Sequence, residues 1–173
     1  MKQRSIVIPI FTLFSLVILV ISSCEKDKML GDIVVDNELY EYIYSQSNDT
    51  IFVDTQKLIL ETDLYRNFFP GGGIHEKRRL FAHVMARSID SLSIVNTIDI
   101  TTIYVINKEQ IWISVPVNCD NCYHPEYILH RNSIDGPEWE TNIYVDVIVE
   151  IMDFNTSIKY YLIARDQLIY KVE

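Results

Sequence analysis

Between residues 143 and 151 the chain alternates with a period of two. Ile143, Val145, Val147, Val149 and Ile151 fall on one face, and Tyr144, Asp146, Glu150 and the less polar Ile148 on the other. That period belongs to a strand and excludes a helix, whose repeat is 3.6. A strand with one apolar face needs a sheet around it and a core beneath it, so this stretch narrows the fold more than any other. The turn formers of residues 153–157 follow, and Ile158, Tyr160, Leu162 and Ala164 resume the alternation, which predicts a hairpin. A second turn near Arg165-Asp166 leads to a last strand over 168–172. Upstream, Leu58, Leu60, Thr62 and Leu64 share a face. Residues 101–106 and 111–117 read as another pair around Asn107-Lys108-Glu109-Gln110, with Ile111, Ile113, Val115 and Val117 inward.

Two stretches fit a helix, 36–45 and 75–91. In the second, Leu80, Ala82, Val84 and Ala86 also fit a strand, and a strand is predicted for about 79–87. Six to eight short strands without β-α alternation point to an all-β fold, an antiparallel β-sandwich of immunoglobulin-like or related topology. The long-spaced Cys, Trp, Cys hallmark of immunoglobulin domains is absent. Eleven Tyr, seven Phe and two Trp argue for a packed core, and the length suits one domain, expected over 33–173.

The first 24 residues say where that domain works. Lys2 and Arg4 form a positive start, Ile6 to Ile21 an apolar run, and Ile21-Ser22-Ser23-Cys24 a small-residue cleavage site ending in cysteine. The pattern resembles the lipobox of bacterial lipoproteins, which implies that residues 1–23 are a signal peptide, that Cys24 is the lipidated mature N-terminus, and that 24–32 are a tether. A membrane span is the rival reading, but Pro9, Thr12 and Ser15 interrupt the run, which is shorter than the ~20 residues a span needs. The resemblance implies a lipid-anchored protein of the Gram-negative cell envelope, at the outer membrane, attached to the membrane through its N-terminal lipid. Loss of Lys2 and Arg4 makes the remainder two charges more negative than the -9 of the whole chain, which speaks against nucleic acid and against anionic head groups.

Cys119-Asp120-Asn121-Cys122 is the most chemical-looking motif. No βαβ setting supports a thioredoxin-like reading, and a zinc site from Cys119, Cys122, His124 and His130 lacks a second paired spacing. With Cys24 consumed by acylation, Cys119 and Cys122 are left as mutual partners, and a disulfide between them is expected. His75-Glu76 lacks the second histidine of a zincin motif, and Gly71-Gly72-Gly73 lacks the Lys-Ser/Thr of a phosphate loop. No catalytic residue, metal or cofactor is expected. Glu138 and Glu140 form an acidic pair of the kind glycoside hydrolysis uses, which any acidic β-domain offers by chance.

Phe68 and Phe69, before Pro70 and three glycines, and Trp139, after Asp135-Gly136-Pro137, are candidate ligand-binding aromatics on loops, for a glycan or an envelope protein partner. The bland alternative is that they plug the ends of the core. Asp49-Thr50-Ile51 and Asp90-Ser91-Leu92 resemble an Asp-Ser/Thr-aliphatic signal for O-glycosylation of exported proteins, which implies Thr50 and Ser91 as acceptors. Residues 65–70 and 136–147 are similar to stretches of small envelope lipoproteins, a likeness that implies no activity. A binding or structural role is therefore expected, with a thiol oxidoreductase or hydrolase as the alternative.

Overall fold

The computed structural model describes residues 31–69, 78–118, 124–134 and 136–173. Among these, ten strands and one helix follow in the order β1 (Ile33–Val34), α1 (Asn37–Gln46), β2 (Ser47–Asn48), β3 (Ile51–Val53), β4 (Gln56–Asn67), β5 (Leu80–Ser88), β6 (Ile98–Asn107), β7 (Gln110–Ser114), β8 (Ile128–Ser133), β9 (Ile143–Asp153) and β10 (Ile158–Val172). The all-β class is as expected. All ten strands join one hydrogen-bonded sheet in the order β1-β7-β6-β9-β10-β4-β5-β8, with β2 on β10 and β3 on β4. Pairing is antiparallel except where β10 meets β4 and β2. The sheet curls until its ends meet: Val117 and Asn132 exchange backbone hydrogen bonds of 2.8 and 3.0 Å, and Ser133 Oγ donates to Ser114 Oγ at 2.7 Å.

Alternation places the main core inside the curl. Leu58, Leu60 and Leu64 of β4, Leu80, Ala82, Val84 and Ala86 of β5, and Val145, Val147, Val149 and Ile151 of β9 all point there, around the fully buried Trp112. Gly136 closes one end. A Cβ on it would come within 2.8 Å of both Leu80 and the Trp112 ring, so only glycine lets the chain lie this close.

The outer face of β6, β7, β9 and β10 departs from expectation. It is covered by α1, whose N-cap Asp36 accepts a 2.9 Å hydrogen bond from Leu39 N. Ile43, Tyr104, Ile106, Ile111, Ile148, Tyr161 and Ile163 form a second core beneath the helix, so the face of β9 read as mostly wet is largely dry. Glu150 is 6% exposed, and only Tyr144 remains open. The inward set of β7 is also corrected. Trp112 faces the main core, Ile111 and Ile113 face the helix, and Val115 and Val117 are exposed. Finally, the turn expected at Arg165-Asp166 is a β-bulge within the continuous β10. Asp166 adopts φ 53° and donates its N–H to Asp146 Oδ1 at 2.9 Å, outside the ladder.

Candidate functional site

At the end of β4 one inward position carries a charge. Arg66 follows Leu64 on the core face and is 8% exposed, so its guanidinium must find acceptors without water. Its Nε donates to Arg78 O at 2.5 Å, and its Nη1 donates to Trp139 O at 2.5 Å and Glu138 O at 3.2 Å. Three backbone carbonyls from two other segments thus fix the cation. It lies 5.2 Å from the centre of the Phe68 ring, with Arg78 at 4.8 Å and Lys171 at 5.0 Å from the same ring. Each such contact contributes roughly 0.5 to 1 kcal/mol at a partly exposed site. Phe68 N donates to Val172 O at 2.8 Å, which anchors the loop to the end of β10. Lys171 also pairs with Glu173.

Of the aromatics singled out from the sequence, Phe68 and the Trp139 backbone therefore meet at one guanidinium, and Phe69 stands beside them 56% exposed. The Trp139 ring is half-buried against the main core and donates Nε1–H to Gln110 Oε1 at 2.8 Å, so it serves as a plug. Sequence reasoning missed Arg66, Arg78 and Lys171. The available signal was an arginine at an inward position of an apolar alternation.

The outer face of β4, β5, β8 and β10 carries a second assembly. Tyr65 stacks on Phe81 at 5.1 Å and on His83 at 5.5 Å, and leans on Tyr170 at 5.8 Å. His83 stacks on His130 at 5.7 Å with the rings within 3° of parallel, and His130 meets His124 at 4.2 Å. Because the rings of Tyr65, Phe81, His83 and His130 face one another across strands, their faces are occupied and their polar edges must find partners within the layer. The His83 and Tyr65 edges meet at 3.2 Å, and Tyr170 OH donates to Asp63 Oδ1 at 2.7 Å. Burial and the Asp63 carboxylate push Tyr170 up to about 12. Burial above all, then His124, His83 and the Arg131 guanidinium, push His130 down to about 4.

A cavity of about 300 Å³ opens between β6 and β8, lined by Ile94, Ile98, Leu129 and Phe154, with the 2.7 Å Arg131–Asp99 ion pair in its wall. Thr50 is half-buried at a bend, and Ser91 is exposed with φ 54° beside the exposed Leu92. Glu138 and Glu140 lie beside Trp139 in the plug segment. Cys24, Cys119, Cys122, Gly71 to Gly73, and His75-Glu76 lie outside the described residues. No helix among the described residues is long and apolar enough to cross a membrane. No family model, no curated protein and no solved structure matches the chain.

Proposed function

We propose that the protein is a lipid-anchored component of the cell envelope with a binding role, held at the membrane through Cys24 and engaging an anionic ligand, an acidic glycan or an acidic protein surface, at the Phe68 end of its domain. The observation that carries this reading is local charge. In a chain of net charge -9, three cations from separate positions surround one aromatic ring. The buried Arg66, held by backbone carbonyls, sets the geometry, while Arg78 and Phe69 are exposed to a partner and the exposed Lys171 would exchange its Glu173 ion pair for one with an anionic ligand. Cationic and aromatic groups at one spot suit a carboxylated or sulfated sugar or an acidic loop.

A glycan array and an envelope pull-down with the detergent-purified protein test this directly. Binding of acidic ligands that weakens with salt and falls at least tenfold in Arg78→Glu with Lys171→Glu is expected. Equal binding of neutral sugars, or no effect of the charge reversals, would refute it. The anchor is tested separately with Cys24→Ala, which is expected to release the protein into the aqueous phase of a detergent partition, because acyl chains contribute ~0.8 kcal/mol per buried methylene.

A further inference from the structure

Buried polar atoms without partners are few in folded proteins, and each calls for a cause. Among the described residues six side-chain atoms are in this state, and three of them belong to β8 or to the segment just ahead of it: His124 Nε2, His130 Nδ1 and Asn132 Oδ1. His130 and Asn132 lie two residues apart on β8 and so share its outer face, where His130 is 9% exposed. His124, just ahead of β8, brings its ring to 4.2 Å from His130 at 53°. Leaving a buried donor or acceptor unmatched is costly, so three so close in the chain call for a partner that all three can face.

The chemistry of the atoms selects what that is. Two imidazole nitrogens and an amide oxygen are a nitrogen and oxygen donor set that suits zinc or copper. Two imidazoles on one ion, with bonds of about 2.0 to 2.1 Å, hold their ring centres roughly 4 to 6 Å apart, and the observed spacing falls in that range. His83 packs flat on His130 and turns its Nε2 to Tyr65 OH, which places it as support for the His130 ring and not as a ligand. Among the described residues no three of His, Cys, Asp and Glu converge, so the protein's nitrogen ligands here are two.

We propose that His124 Nε2, His130 Nδ1 and the Asn132 side-chain carbonyl form a buried site for a divalent transition-metal ion, with water in the remaining positions. The site is independent of the Phe68 end and does not rest on the function proposed for it. A single buried water bridging the three atoms is the competing occupant, and it would leave them without affinity for metal.

The test uses the full chain in detergent, stripped with chelator and treated with iodoacetamide so that no free thiol takes up metal, then dialysed against zinc chloride and, separately, copper sulfate. One equivalent of bound ion is expected, with binding weakened at least tenfold in His124→Gln and in His130→Asn, and changed less than threefold in His83→Phe. Asn132→Asp, which supplies a charged oxygen in the same place, is expected to bind at least as tightly as the native protein. Zinc is also expected to raise the melting temperature of the native chain and to leave that of His124→Gln unchanged, a readout that holds if a variant at His130 fails to fold. No binding by the native chain, or equal binding by His124→Gln and His130→Asn, overturns the site.

Discussion

The sheet has two outer faces that both carry buried polar groups, and they resolve them in opposite ways. Under α1, Glu150 takes hydrogen bonds from Thr101 Oγ1 at 2.8 Å, Tyr161 OH at 2.9 Å and Lys159 Nζ at 3.1 Å, and Tyr44 OH donates to Asp146 at 2.7 Å. Burial and the Tyr42 and Glu150 hydrogen bonds raise Tyr161, and burial with the Glu150 carboxylate pushes Tyr104 up to about 12. Across β5 and β8, by contrast, His124, His130 and Asn132 each keep an unmatched buried atom. A network in which every member is satisfied holds two elements together, while one with unmatched members is suited to a ligand. The helix face is a fastening, and the histidine face is a receptor.

The largest test of this contrast removes the fastening. Ile43 is fully buried between α1 and the sheet, so Ile43→Ala is expected to cost about 2 to 5 kcal/mol in denaturant unfolding. A loss below 1 kcal/mol would mean that the helix is not part of the cooperative fold. Next come two substitutions of one buried polar group each. Glu150→Leu leaves Tyr161 and Thr101 without an acceptor and is expected to cost about 1 to 3 kcal/mol, whereas His130→Leu removes an unmatched atom and is expected to be nearly neutral in metal-free protein. Equal losses in the two variants would erase the distinction between the faces.

Alkali should act on the fastening as well. Tyr104 and Tyr161 have folded pKa values above the 10.0 of the free side chain, so the folded state holds their protons longer than the unfolded one. Their contribution is complete below pH 10; that of Tyr104 is lost as pH rises from 10 through about 12, and that of Tyr161 only at higher pH still. Tyr104→Phe is therefore expected to flatten the fall of stability with pH over that window, and an unchanged slope would show that Tyr104 does not ionise on unfolding. The smallest effect is expected from Cys119→Ser with Cys122→Ser. A bond closing so short a loop lies at the low end of the ~0 to 5 kcal/mol range, so the melting temperature should fall only slightly, and two freely alkylated cysteines in protein purified without reductant would show that the bond is not there.

What could be read from the sequence was what depends on near neighbours. Period-two alternation identified β9, the inward residues of β4 and the strand character of β5, because side-chain direction along a strand is set by the backbone alone. The same local logic marked the helix that begins after Asp36 and the hairpin turn after Asp153. What it could not assign was the side of the sheet on which each apolar face would find cover. Ile111 and Ile113 were grouped with Val115 and Val117 by spacing, yet α1 covers only the first two. Arg165-Asp166 carries the residue types of both a turn and a bulge, and only the continued pairing of β10 with β9 decides between them.

Sequence alone therefore determined that this chain builds strands around a core, and it named Phe68 and Phe69 as loop aromatics. Only tertiary structure set Arg66, Arg78 and Lys171 around one ring, and set His124 against His130 with unmatched buried atoms on both and on Asn132. The physical reason is range: a strand's alternation is written in bonds one residue apart, whereas a site is made by segments dozens of residues apart that meet only once the sheet has curled.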